Sequence, residues 1–285
     1  MQQAAVREVR AEDITREVAR LCQEANYFLD EDVTGAFTKA LTLEESPVGR
    51  DVLEQIVENA RIAANEQVPM CQDTGYAVVF VEVGQDAHIV GGDLTEAINK
   101  GVEIGYREGY LRKSIVGDPF ERKNTGTNTP AFIHTTVVPG DRVKVTMAAK
   151  GGGSENTSQL KMLKPSDGVE GVKQFVLKAV AEAGPSACPP LVVGVGVGGN
   201  FEISALLAKK AALRPIGSRN ANPFVAKLEE ELLTEVNKLG VGPQGLGGST
   251  TALGLNIETF ATHIVALPVA VNIQCHASRH KAVTL

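Results

Sequence analysis

The apolar run Leu191-Val-Val-Gly-Val-Gly-Val-Gly198 leads directly into Phe201-Glu-Ile-Ser-Ala-Leu-Leu-Ala-Lys-Lys-Ala-Ala-Leu213, and this junction restricts the fold more than any other part of the chain. Eight apolar or glycine residues are too few to cross a bilayer, which takes about 20, but they suit a strand buried on both faces. The residues that follow change to helical spacing, so a covering helix packs on the sheet that holds this strand. The second long apolar stretch, Ile264 to Ile273, is interrupted by Pro268 and reads the same way. TTALGLNI before it supplies another strand, and no segment is a membrane span.

The amino-terminal part is expected to be helical over residues 1–68. Ile14, Val18, Leu21, Cys22 and Ala25 form one helical stripe, and Ser46-Pro47 caps and presets a second helix running to about Asn65. Beyond residue 69 strands and helices mix. YAVVFVEV from Tyr76 reads as a strand, and Asp93 with Glu96 reads as a capping box for a helix carrying Ile98, Val102 and Tyr106. AFIHTTVV and RVKVTMAA, joined by Pro139-Gly140-Asp141, predict a hairpin with Val143, Val145 and Met147 on one face. Further helices are expected from about Val169 to Ala183 and from Asn222-Pro223 to Gly240. The expected fold is mixed α/β (α+β), a single domain over 1–285, with helices covering sheets.

A formal charge of −6, from 34 acidic and 28 basic residues, lacks the basic excess of a nucleic-acid binder. The first 20 residues mix both charge signs without an apolar core, so a secretory leader is not expected and the protein is read as cytoplasmic.

The chain has four cysteines, none in a CxxC pair, which argues against both a disulfide framework and a four-thiolate zinc site. Cys22 falls in the helical stripe and reads as a packing residue. Cys71 (PMCQDTG), Cys188 (GPSACPP) and Cys275 (NIQCHASRH) lie in turns or at strand ends among Gly, Pro and polar residues, where a thiolate stays accessible. Three scattered thiolates suit an iron–sulfur cluster with one iron open to a substrate, but ordinary thiols or one catalytic thiol fit the spacing as well. Asp73 lies two residues from Cys71; it is either a group beside an open metal position or a turn-capping residue. His263 and Arg112 stand alone in their segments.

Gly194-Val-Gly-Val-Gly-Gly199 satisfies G-x-G-x-x-G, which raises an NAD(P)-dependent oxidoreductase as a rival. Arg214-Pro-Ile-Gly-Ser-Arg-Asn220 offers neither the second strand nor the acidic ribose ligand of such a site, so close strand–helix packing explains these glycines better. Lys150-Gly-Gly-Gly-Ser-Glu-Asn156 is either an anion nest or a flexible turn, and Gln244-Gly-Leu-Gly-Gly-Ser-Thr250 shares that ambiguity. A third possibility is a scaffold subunit whose thiols only pack.

Taken in order, PMCQDTG, KGGGSEN, GPSACPP, GVGVGGNFE, GLGGSTTALG and NIQCHASRH resemble the class I fumarate hydratase and L(+)-tartrate dehydratase family, in its alpha subunit or amino-terminal half. The resemblance implies a hydro-lyase interconverting fumarate and L-malate, or dehydrating L(+)-tartrate, on a 4Fe-4S cluster. It implies Cys71, Cys188 and Cys275 as cluster ligands, and Gln72 and Asp73 as substrate contacts, Asp73 also as an acid/base group. It further implies His263 as the support of Asp73, Arg112 as a carboxylate ligand, and Gly152 or Gly153 as a backbone contact. Single-chain relatives continue into a second domain, whereas this chain stops ten residues after Cys275. A beta subunit is therefore expected to complete the site, in a hetero-oligomer built on a dimer.

Overall fold

In the computed structural model, residues 6–285 are described, so the leader reading of residues 1–5 lies outside the described part. The elements run β1 (Arg7–Arg10), α1 (Ala11–Tyr27), α2 (Glu31–Leu43), α3 (Pro47–Glu66), β2 (Tyr76–Gly84), β3 (Ala87–Val90), α4 (Leu94–Glu108), β4 (Phe132–Val138) and β5 (Val143–Lys150). They continue as α5 (Gly152–Asn156), β6 (Gln159–Leu163), α6 (Gly168–Ala183), β7 (Leu191–Gly198), α7 (Phe201–Ala211), α8 (Pro223–Asn237), β8 (Ala252–Phe260), β9 (Leu267–Gln274) and β10 (His280–Thr284). The fold is α+β. The chain threads two compact units: residues 6–29, 60–151 and 279–285 form the first, and 30–59 with 152–278 form the second.

The first unit holds a four-stranded sheet in the order β10-β5-β2-β4, beside a parallel β1-β3 pair. The helical stripe expected near Ile14 is α1, and Ile14, Val18, Leu21, Cys22 and Ala25 are all buried. They meet Ile98, Val102 and Tyr106 of α4 and the sheet residues Val79, Val81, Val143, Val145 and Met147 in one core. Two glycines let α4 lie close against α1: a Cβ at Gly101 would strike Thr15 O and Val18, and one at Gly105 would strike Ala19 O. Asp93 caps α4 by accepting the Glu96 N–H at 2.9 Å.

The predicted hairpin is not formed. β2 lies between β4 and β5, parallel to the first and antiparallel to the second. Its Ala77, Val78, Val79 and Val81 are buried, and a strand apolar on both faces gains most in the sheet interior. The Pro139–Asp141 turn instead folds over the end of β2, where Gly84 N–H donates to Arg142 O at 2.8 Å and Asp86 N–H to Gly140 O at 2.9 Å.

The second unit is built on a sheet in the order β6-β9-β7-β8. Val193 and Val195 of β7 and Val271 and Ile273 of β9 share one face with Val176 and Val180 of α6 and Leu232 and Val236 of α8. The other face carries α7. There a Cβ at Gly194 would collide with Ala208 O and one at Gly196 with Ser204 O, so these glycines serve helix–sheet contact. Among the described residues, no helix is long and apolar enough to cross a membrane.

Candidate functional site

β7 and β8 begin, β9 ends and β6 begins at the same end of the second sheet, because β8 is parallel to β7 while β9 is antiparallel to both β7 and β6. Four of the singled-out segments therefore meet there. Cys188 ends a single 3-10 turn, Gly184–Ala187, in a left-handed conformation (φ 54°), and its carbonyl accepts the His276 N–H at 3.2 Å, next to Cys275. The Gln244 main-chain and side-chain N–H groups both donate to Pro189 O, at 2.8 and 3.1 Å, and Leu191 N–H donates to Thr251 O at 2.8 Å. Gly152–Asn156 also arrives here: it is a short helix, and a Cβ on Gly153 would lie 3.4 Å from Ser186 O. Glu155 is clamped by Lys209 Nζ at 2.6 Å and Asn272 Nδ2 at 2.8 Å.

A buried acid absent from the sequence reading fixes the glycine turn. Glu44 accepts the N–H groups of Ser46 (2.9 Å), Ser249 (2.9 Å) and Thr250 (2.8 Å). Burial pushes its pKa up, but the backbone donors of Ser249, Ser46 and Thr250 and the Thr250 hydroxyl outweigh that and hold the carboxyl below its usual range. Gly248 has to lack a side chain, since a Cβ there would sit 2.7 Å from Glu44 Oε1.

Cys71, Gln72, Asp73 and Arg112 belong to the first unit. The Asp73 carboxylate accepts the Gly75 N–H at 3.0 Å, closing a tight turn before β2. Gly75 takes φ +71°, and a Cβ there would approach Lys150 O to 2.5 Å, so this position requires glycine. Thr74 donates its hydroxyl to Arg112 O at 3.0 Å, which ties the Arg112 segment to the same turn. The buried Tyr106 hydroxyl donates to Thr74 O at 2.9 Å, and burial raises its pKa. Arg279 Nη1 donates to Asp73 O at 2.6 Å and to Asn26 Oδ1 at 3.1 Å. Arg279, Asn26 and Tyr106 were not legible as site residues: Tyr106 reads as a core aromatic, Arg279 as one of several polar residues after Cys275, and their contacts with residues 73–75 join positions more than 30 apart in sequence.

His263 is not gathered with Cys188 and Cys275. It lies in the exposed turn before β9, its Nδ1 accepting the Val265 N–H at 3.3 Å, with the eight residues of β9 between it and Cys275. That strand alone is roughly 23 Å long. The expected strand start near His263 moves to Leu267 because Thr262–Val265 project into solvent.

All four cysteines are in the reduced thiol form, outside any disulfide. Cys22 is buried and burial drives its pKa up, so it remains a neutral packing group. Cys188 is exposed and Cys71 and Cys275 are half-buried, as thiolate ligands need to be. No group of three or more His, Cys, Asp or Glu side chains placed to hold a metal ion occurs among the described residues. A 4Fe-4S cluster, however, takes each thiolate on a separate iron, and this donor set, three accessible reduced cysteines on turns, is chemically suited to it.

Comparison with known proteins gives a consistent assignment. The sequence model of the family described as fumarate hydratase (fumerase) matches residues 15–284. A Methanocaldococcus jannaschii protein named "Putative L(+)-tartrate dehydratase subunit alpha" is 44% identical over 271 residues, covering 92% of this chain and 94% of its own. The L(+)-tartrate dehydratase alpha subunit of Escherichia coli is 36% identical, and that of Shigella sonnei 35%, each covering 93% of this chain and 88% of its own. With the match running almost end to end, the chain belongs to the fumarate hydratase family.

Proposed function

We propose that this chain is the alpha-type subunit of an iron–sulfur hydro-lyase that interconverts fumarate and L-malate. The observation that carries the reading is the convergence of Cys188, Cys275, the Gly152–Gly153 segment and the Gln244–Thr250 turn at one end of a single sheet, in a chain whose only deeply buried cysteine is Cys22. Dehydration of L(+)-tartrate is the second reading, favoured by the names of the relatives; it needs one more hydrogen bond to the same four-carbon dicarboxylate.

Cys71, Cys188 and Cys275 would hold the cluster, which when bound supplies a Lewis-acidic iron for the substrate hydroxyl. Asp73 carries the proton at the hydroxyl end; its turn is braced by Gly75, Thr74 and Arg279, so the carboxylate needs little reorganisation. Arg112 binds one substrate carboxylate, Gln72 hydrogen-bonds the substrate beside Asp73, and the main chain at Gly152 or Gly153 contributes a further donor. A beta subunit supplies the opposing base, in a hetero-oligomer built on a dimer. Since His263 stands at the far end of β9 from Cys275, we assign any support of Asp73 to the His263 of a second copy of the chain. A cytoplasmic location agrees with an oxygen-labile centre.

Anaerobic reconstitution of the chain with its co-expressed partner tests the proposal, and is expected to load about four irons per alpha chain. Dehydration of L-malate and of L(+)-tartrate is then compared on the loaded complex. Full iron loading by a Cys71→Ser variant would disprove the ligand assignment, and a clear preference for tartrate would establish the second reading.

A further inference from the structure

Arg279 is only 1% exposed and is the largest fully buried side chain of the described residues. A guanidinium keeps its proton at any relevant pH, so its charge remains in place when buried. Nη1 makes both of its hydrogen bonds, to Asp73 O at 2.6 Å and Asn26 Oδ1 at 3.1 Å, and both acceptors are neutral. Nε is buried without a partner. Among the described residues no carboxylate lies within 4.0 Å of this guanidinium, although Arg214, the other deeply placed arginine, has both Glu229 and Glu258. Buried arginines are ordinarily paired, because an uncompensated charge in the interior is strongly unfavourable. Two neutral acceptors could have been bridged by a neutral amide, so hydrogen bonding alone does not explain the choice of a permanent cation.

The turn that Arg279 grips carries Cys71 and Asp73, and Arg279 itself follows Cys275 by four residues. We infer that Arg279 is a positioning residue and the fixed countercharge of the iron–sulfur site, holding the main chain of Asp73 while its unneutralised charge offsets the thiolates and the substrate carboxylates. The inference rests on the cluster reading given above. A cation held near such a centre favours its reduced, more negative form, so removing the charge lowers the reduction potential.

The test compares wild type, Arg279→Gln, Arg279→Lys and Asn26→Asp in the anaerobically reconstituted complex. The readouts are iron per chain, midpoint potential, and the rate at which air strips iron. Arg279→Gln is expected to have a more negative potential and to lose iron several-fold faster, and Arg279→Lys to recover most of both. Asn26→Asp keeps the arginine and its acceptor but introduces the missing acid, and it is expected to move the potential in the same direction as Arg279→Gln. Should Arg279→Gln fail to fold, Asn26→Asp decides. Potentials and iron loss equal to wild type in the folded variants would reduce Arg279 to a structural brace and overturn the inference. If wild type itself takes up no iron, the cluster reading fails, a result distinct from wild-type loading with unmoved variants.

Discussion

Replacing Glu44 by glutamine isolates what holds the glycine turn beside Cys188. The carboxylate is 1% exposed; its Oε1 accepts from Ser46 N, Ser249 N and Ser249 Oγ, and its Oε2 accepts from Thr250 N. An amide is nearly isosteric, but whichever way it is placed its NH2 faces a backbone donor, so at least one N–H loses its acceptor and the rest lose a charged one. Hydrogen bonds to charged groups are worth about 1.5–3 kcal/mol each and an orphaned buried donor costs about 1–3 kcal/mol, so Glu44→Gln should destabilise by about 3 kcal/mol. For a chain of this size that corresponds to a fall in Tm of about 6–12 °C, read by circular dichroism at neutral pH. The effect should also depend on pH in a specific sense. The folded-state pKa of Glu44 lies below the ordinary glutamate value of 4.5, so its contribution is complete above that value and is lost as pH falls through the folded-state pKa. The gap between wild type and variant should therefore narrow on acidification below pH 4.5. A variant melting within about 1 °C of wild type at neutral pH, or a gap that stays constant into acid, would show that the Glu44 bonds do not brace the turn.

Other expectations concern individual side chains. Cys22→Ser should keep the full iron content of the reconstituted complex while losing about 1–3 kcal/mol in urea unfolding, because a hydroxyl is buried without a partner; loss of iron there would mean that the wrong cysteines have been assigned as ligands. Gly196→Ala should destabilise by 3 kcal/mol or more on the order of a severe core clash, since the new methyl meets Ser204 O and Ala208 N of α7. A tolerated alanine, or protection from thermal unfolding by nicotinamide dinucleotides, would bring back the rival reading of these glycines. Mixing His263→Ala with Cys71→Ser chains, each inactive alone, should restore about a quarter of the wild-type activity after subunit exchange, because half the dimers are mixed and each has one complete site. No recovery after verified exchange counts against His263 acting from a second copy.

Local information was sufficient wherever the interaction that decides the structure is itself local. The α1 stripe, the Ser46-Pro47 start of α3, the Asp93 cap and the Asn222 cap of α8 are visible in the amino-acid sequence, because cap and periodicity involve residues two to four apart. α2 has no comparably long stripe, burying only Val33, Phe37 and Ala40, too few to mark it as a helix in the amino-acid sequence. The short strands β1, β3, β6 and β10 acquire their identity from a neighbour's unpaired backbone, to which their side chains give little clue.

The residue types of the site could be read from the chain alone: three cysteines on turns, one carboxylate beside the first of them, and glycine segments that admit close backbone approach. Their grouping could not. Only the alternation of parallel and antiparallel pairing in β6-β9-β7-β8 gathers Cys188, Cys275 and the glycine turns at one end of the sheet and leaves His263 at the other. In the same way, tertiary packing alone inserts β2 between two strands that adjoin in sequence, and buries Arg279 without an acid. Strand pairing and burial depend on contacts between residues far apart along the chain, and no short-range pattern records which of the possible partners will be met.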